Sequence, residues 1–294
     1  EALPYLKRAL ETNPKIEQFW LSYIDALIKL GQLDNARQIL QQGKASGLTG
    51  DQIDRLEVQL SNTARSAPPF IGNATGPSKQ QVDGLILLYT QGKLQDALAQ
   101  GIALSNQFPD NPTILNVLGA VYAGLSRYEE AIINYNKVIE ITPDFAEAYN
   151  NLGITLNKLG QYKEAINSYN KAIEIKPEFA EAYYNLGNIL KDLARLDEAE
   201  ASYRQAIALK PDYAEAYSNL GIALKELGKH EEAINSYNKA IKIKPDYAEA
   251  YGNRGISLKE LGKHEEAVSS YKKAIKLKPD YGEVYSNLGA SLYD

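Results

Sequence analysis

One stretch of this chain is repeated almost letter for letter 34 residues later, and this repetition constrains the fold more than any other feature. Residues 210–241 read KPDYAEAYSNLGIALKELGKHEEAINSYNKAI, and residues 244–275 read KPDYAEAYGNRGISLKELGKHEEAVSSYKKAI. The interval continues at Leu118-Gly119, Leu152-Gly153, Leu186-Gly187, Leu220-Gly221, Arg254-Gly255 and Leu288-Gly289. A fixed period of this length indicates stacked copies of one small unit rather than a single globular core.

Each unit has the pattern of two helices joined by a turn. In the unit that begins at residue 146, the first helical face is predicted from the spacing of Tyr149, Leu152, Gly153 and Leu156. The second is predicted from the same spacing of Ala165, Ile166, Tyr169, Ala172 and Ile173. Gly160 favours a left-handed turn between them, and Pro177 cannot continue the second helix. We expect Tyr149 and Tyr169 to fill the space beside Gly153.

An aspartate stands three residues before a glutamate at the start of several units. An N-cap acid followed by a glutamate is a form of the capping box, which satisfies the free N–H groups of a helix start. The pairs are Asp144 with Glu147, Asp212 with Glu215, Asp246 with Glu249, and Asp280 with Glu283.

Composition excludes several functions. The 294 residues contain no cysteine, which excludes disulfides, thiol catalysis and cysteine-based zinc sites. A net charge of -5 argues against nucleic acid as a partner, and no apolar run is long enough to span a bilayer. The chain has only two histidines, His230 and His264, both in a turn sequence. We therefore expect no catalytic residues, no metal site and no cofactor.

The 34-residue pattern of aromatic, Leu-Gly, Ala, aromatic, Ala and Pro resembles the tetratricopeptide repeat family. The resemblance implies an all-α fold, a right-handed superhelical solenoid of antiparallel helix hairpins. It covers residues 78–294. We divide that region into a divergent repeat at 78–111, in which Gln81 replaces the aromatic residue, five repeats at 112–145, 146–179, 180–213, 214–247 and 248–281, and a partial repeat at 282–294.

The first 65 residues also fit the pattern. The second helix of a truncated repeat is predicted from Ala2, Leu6, Ala9 and Pro14, and a further repeat from Trp20, Leu27, Gly31, Ala36 and Leu40. Another helix is predicted over residues 51–64. Residues 66–77 are rich in proline and glycine and are predicted to form a linker.

One asparagine recurs on the first helix of each unit. Asn151 lies about 150° around the helix from the apolar face of its unit, so we expect it to face a groove lined by first helices. The set is Asn151, Asn185, Asn219, Asn253 and Asn287. An amide can donate to and accept from an extended peptide backbone, although asparagine is also common on the polar surface of such repeats. This ladder resembles the one in the repeat arm of O-GlcNAc transferases.

Other residues are predicted to line the same groove. They are Tyr184, Ile154, Asn188, Ile222, Ile256, Lys191, Lys225 and Lys259, and packing between repeats or a solvated face would explain most of them equally well.

The function expected from these features is a non-catalytic, cytoplasmic scaffold of bacterial type that binds a protein or an extended peptide in the concave groove. One alternative is the substrate-recruiting arm of a larger transferase similar to the O-GlcNAc transferases. The other is a structural solenoid that associates end to end with its own copies.

Overall fold

The computed structural model describes residues 3–13, 16–29, 33–48, 50, 52, 53, 55–57, 60 and 76–293. The chain forms two compact units, residues 1–73 and residues 74–294. Every regular element within the described residues is a helix, which confirms the predicted all-α class. Most of the predicted linker lies outside the described residues, so the division at 66–77 stays a prediction.

The first unit contains α1 (Leu3–Thr12), α2 (Glu17–Lys29) and α3 (Leu33–Ala45), followed by residues in helical conformation between 52 and 60. Its core is formed around Trp20, Ile24 and Leu27 of α2, which pack with Leu40 of α3 and with Ile53. Trp20, Leu27, Ala36 and Leu40 of the predicted repeat are all buried. The predicted positions Ala2, Pro14 and Gly31 lie outside the described residues.

The second unit is a row of antiparallel helix hairpins. It begins with α4 (Lys79–Thr90) and α5 (Leu94–Gln107). The helices that follow are α6 (Pro112–Gly124), α7 (Tyr128–Ile141), α8 (Ala146–Lys158), α9 (Tyr162–Ile175), α10 (Ala180–Asp192), α11 (Leu196–Leu209), α12 (Ala214–Glu226), α13 (His230–Ile243), α14 (Ala248–Glu260), α15 (His264–Leu277) and α16 (Gly282–Tyr293). Each even-numbered helix from α4 to α14 is the first helix of a hairpin, and the odd-numbered helix after it is the second.

A glycine of the first helix meets a tyrosine ring of the second in the five hairpins from α6–α7 to α14–α15. A methyl group added to Gly153 would lie 2.7 Å from Cε1 of Tyr169, closer than any real side chain approaches. The same contact joins Gly119 to Tyr135, Gly187 to Tyr203, Gly221 to Tyr237, and Gly255 to Tyr271. These five tyrosines are at most 1% exposed, whereas Tyr149 on the first helix is only half-buried. The buried tyrosine of the second helix, and not the pair predicted from sequence, therefore fills the hairpin.

The turn within each hairpin requires a left-handed residue. Gly160 has φ of 74°, which confirms the predicted left-handed turn. The same position is occupied by a non-glycine residue in two units, Ser126 with φ of 59° and Ala194 with φ of 55°. Stacking therefore imposes the turn geometry even where a side chain disfavours it.

The predicted aspartate caps are wrong at the three sites where the cap is described. The N-cap residues are Phe145, Tyr213 and Tyr247, one residue after each aspartate, and none of these helices has a side-chain cap. By contrast, Ser78 and Gln81 form a complete capping box at the start of α4. Gln81, which departs from the aromatic pattern, therefore serves the helix start.

The first helices form the inner side of the curve. The backbone of each one approaches that of the first helix of the next hairpin, whereas consecutive second helices have no Cα atoms within 8 Å of each other in residues 76–293. Elements that lie closer together in a stack are on its concave side. The first helices therefore line a concave groove, and the second helices form the convex face.

We predict that Gly221→Ala lowers the free energy of unfolding by about 1–3 kcal/mol, because the new methyl group would overlap the fixed ring of Tyr237. Gly289→Ala is the matched control. Gly289 holds the same repeat position in α16, and an added methyl group there would touch nothing within 4 Å.

Chemical denaturation of the two variants measures the difference. Since alanine favours helix by up to about 1 kcal/mol over glycine, Gly289→Ala is expected to leave stability unchanged or raise it. Equal losses in both variants would show that the glycine–tyrosine contact does not hold the hairpin together.

Candidate peptide-binding groove

The repeated asparagines lie where consecutive first helices meet. The amide of Asn151 donates to Oδ1 of Asn116 at 3.2 Å, and that of Asn185 donates to Oδ1 of Asn150 at 3.0 Å. Both bonds span 35 residues and connect one first helix to the preceding one. All five asparagines of the ladder are partly exposed. The ladder therefore tethers successive repeats while part of each amide remains accessible from the groove.

Asn219 makes the densest connection. Its amide donates to Oδ1 of Asn188 at 2.8 Å and to the hydroxyl of Tyr184 at 3.2 Å. Asn188 also accepts a bond from the hydroxyl of Tyr203 at 2.8 Å, and the ring of Tyr184 lies 4.9 Å from that of Tyr213. The predicted groove residues Tyr184 and Asn188 thus belong to an inter-repeat network that holds the groove wall in place.

Asn253 and Asn287 differ from the other three. Neither side chain forms a hydrogen bond within residues 76–293, and both are partly exposed. The other three ladder asparagines each donate to the residue 35 positions earlier in the chain. For Asn253 that residue is Ser218, and for Asn287 it is Gly252, which has no side-chain acceptor. These two amides therefore contribute to the groove surface without tethering a neighbour.

The predicted isoleucines have different exposures. Ile154 is 38% exposed, whereas Ile222 and Ile256 are partly buried and pack against core residues. A cavity of about 250 Å³ opens beside Ile154 and Asn151, lined also by Tyr89, Ala120, Ala123 and Lys158. This hollow therefore places an exposed apolar side chain, that of Ile154, beside the ladder residue Asn151.

The predicted lysines share one position. Lys191, Lys225 and Lys259 lie in the last turn of their helices, where a positive charge interacts favourably with the helix dipole. Lys191 also forms an ion pair with Asp192 at 2.6 Å. These three lysines therefore already interact electrostatically with the helices that carry them.

The glutamates near the start of four first helices, α8, α10, α12 and α14, form ion pairs instead of capping. Nζ of Lys176 lies 2.9 Å from Oε1 of Glu147 and 4.8 Å from the ring centroid of Phe179. Burial alone would raise the pKa of Glu147, but the hydrogen bond and charge of Lys176, together with a backbone N–H, outweigh it, and the pKa lies below its ordinary value. The arrangement recurs with Glu181 and Lys210, Glu215 and Lys244, and Glu249 and Lys278. These pairs join the two ends of one hairpin.

The acceptors Asn116 and Asn150 were missed in the sequence analysis. Each acceptor lies 35 residues before the asparagine that donates to it, one residue more than the repeat period. The residue just before a ladder position therefore contacts the next repeat.

The described residues contain no group of three or more His, Asp or Glu side chains that could hold a metal ion. His230 and His264 begin α13 and α15, and their Nδ1 atoms are buried. None of the described helices is both long enough and apolar enough to cross a bilayer.

Comparison with family models gives consistent matches. Models described as TPR repeat match residues 125–160, 155–194 and 257–294, and models described as tetratricopeptide repeat match residues 1–60, 178–246 and 236–269. No curated protein matches this chain significantly.

Several solved structures are similar to this chain. The crystal structure of MamA protein is 32% identical, with a TM-score of 0.53, over 58% of this chain and 94% of MamA. YrrB, described as a TPR protein with an unusual peptide-binding site, is 23% identical with a TM-score of 0.55, over 63% of this chain and 96% of YrrB. PilF of Pseudomonas aeruginosa is 16% identical with a TM-score of 0.64, over 71% of this chain and 95% of PilF. The last two likenesses concern the fold alone.

We predict that Asn219→Ala lowers the free energy of unfolding by about 1–2 kcal/mol, because two hydrogen bonds between repeats are lost. Asn253→Ala is the control at the same repeat position and should change stability by less than about 0.5 kcal/mol. Thermal unfolding of both variants measures this contrast, and a loss in Asn253→Ala as large as that in Asn219→Ala would contradict the tethering role.

Proposed function

Because this chain belongs to the tetratricopeptide repeat family, we propose that it is a non-catalytic interaction scaffold whose concave groove binds an extended segment of a partner protein. Repeats of this family serve to bind proteins or peptides, and the groove of this chain offers a specific means of doing so. The observation that carries the proposal is the register of five partly exposed asparagine amides along the first helices.

The amides have bonding capacity beyond the tethers. Each carries two N–H donors and a carbonyl acceptor. One bond to the preceding repeat leaves a donor and an acceptor at Asn151 and Asn185, whereas Asn219 uses both donors and keeps its carbonyl acceptor. An extended backbone presents an N–H and a carbonyl group at every residue. Amides at a fixed period therefore favour recognition of backbone rather than of one particular sequence.

The tethered network lowers the cost of binding. Association requires side chains to be ordered, at about 0.5–1.5 kcal/mol for each mobile side chain. Asn151, Asn185 and Asn219 are already held by the preceding repeat. Since a hydrogen bond contributes only about 0.5–1.5 kcal/mol net, affinity depends on this prior ordering and on apolar contacts such as those at Ile154.

The test is binding of a library of unstructured peptides to the chain and to a variant with Asn185, Asn219 and Asn253 changed to alanine. We expect the variant to lose affinity by at least about tenfold, because three backbone contacts are removed. A second variant, Asn253→Ala with Asn287→Ala, removes ladder amides without breaking a described tether, so reduced binding in it cannot be attributed to weaker stacking.

The matched control changes Asn167, Asn170 and Asn235 to alanine, since these asparagines are exposed on second helices. It should bind like the unaltered chain. If no peptide binds, or if both ladder variants bind as well as the control, the proposal is wrong.

The two alternatives rest on the same repeats. Recruitment of substrates for a transferase would use this groove and its asparagine ladder, and the comparisons provide no observation that favours it. Association of copies end to end would make the solution mass rise with protein concentration, which light scattering measures. A mass fixed at one chain would exclude the self-assembling solenoid.

A further inference from the structure

Arg254 interrupts a row of buried leucines. The equivalent residues Leu118, Leu152, Leu186 and Leu220 are at most 8% exposed and belong to the core between hairpins. Arginine has a charge that a core position normally excludes. A residue that breaks the packing rule of its own repeat often marks a functional site.

The guanidinium of Arg254 is held by neutral partners. Its Nε and Nη2 donate to Oγ of Ser270 at 3.2 and 3.0 Å, and its Nη1 donates to Oδ1 of Asn238 at 2.8 Å. The group is half-buried, and burial lowers its pKa from the ordinary value. Among residues 76–293 no carboxylate forms an ion pair with it. The guanidinium also lies 5.2 Å from the ring centroid of Tyr251, and Glu266 interacts with its charge without a direct ion pair.

The guanidinium faces a cavity on the convex side. This convex pocket has a volume of about 290 Å³ and lies between α13 and α15, with α14 as its floor. The residues that line it are Arg254, Ile234, Asn238, Leu258, Glu266, Ser269 and Ser270. A guanidinium has five N–H donors, and three are used by Ser270 and Asn238. The remaining two can bind both oxygens of one carboxylate.

The charges around the convex pocket also suit an acidic ligand. The residues one turn beyond Asn238 and Ser269 on their helices are Lys242 and Lys273, and both are exposed. The lining includes one carboxylate, Glu266. In the preceding unit its equivalent, Glu232, pairs with Arg204 at 2.8 Å across a pocket whose floor is Leu220. In the convex pocket the residue equivalent to Arg204 is Asn238, which has no charge. The positive charge of this pocket comes instead from Arg254 on α14.

We propose that the convex pocket at Arg254 binds a carboxylate side chain of an acidic partner polypeptide, at a second surface separate from the concave groove. The carboxylate accepts from the two remaining N–H groups of Arg254 and reaches the hydroxyl of Ser269, while neighbouring acidic residues of the partner lie near Lys242 and Lys273. Since the equivalent position is a buried leucine in the four preceding repeats, the stack itself does not require an arginine there.

The test uses a fluorescent ten-residue peptide of alternating glutamate and serine, capped at both ends, and its counterpart with glutamine in place of glutamate. Fluorescence anisotropy at about 50 mM salt keeps electrostatic screening low. We expect the glutamate peptide to bind at least tenfold more tightly than the glutamine peptide. Arg254→Leu should abolish this preference and raise the unfolding temperature, because leucine restores the packing of the sister repeats.

Glu266→Gln provides an independent test. It removes the negative charge nearest the site, so binding of the glutamate peptide should tighten several-fold. Asn167→Ala, at an exposed position of α9 outside both the convex pocket and the asparagine ladder, should leave binding unchanged. The proposal is overturned if Arg254→Leu binds the glutamate peptide as the unaltered chain does. It is also overturned if Arg254→Leu and Glu266→Gln both lower the unfolding temperature, since the two residues would then form an internal pair.

Discussion

The architecture depends on the contact between a glycine of the first helix and a buried tyrosine of the second helix in the hairpins from α6–α7 to α14–α15. The ring lies where a side chain on the glycine would have to be, so it sets the distance between the two helices of the hairpin. Because the contact recurs in five consecutive hairpins, these five share one internal contact geometry. Identical hairpins stack with a constant step, and a constant step brings equivalent side chains into line along the groove.

That alignment gives the asparagine ladder two roles in one position. An amide on one first helix reaches the preceding first helix, which strengthens the stack, and its remaining polar atoms face the groove. Stability between repeats and recognition of a partner therefore draw on the same residues. The ion pairs of the glutamates and lysines act differently, since they join the two ends of a single hairpin and do not involve the ladder asparagines.

Local features could be predicted from the sequence, whereas features that depend on partners distant in sequence could not. Helical periodicity and Gly160 were sufficient for the hairpins and their turns, because each depends on neighbouring residues. The capping of α8 could not be predicted, because Glu147 finds Lys176, 29 residues away, and Phe145 takes the N-cap place. Asn151 was identified as a groove residue, but its bond to Asn116 depends on how two hairpins pack. The same holds for Arg254, whose pocket is formed by three helices.

The central claim is that polypeptides bind on the first helices, in the concave groove. Amide hydrogen exchange of the chain, with and without the tightest-binding peptide of an unstructured library, tests it most directly. Binding in the groove predicts slower exchange in α8, α10, α12 and α14, with little change in α9, α11 and α13. Protection confined to the second helices would contradict the account, because it would place the partner on the convex face.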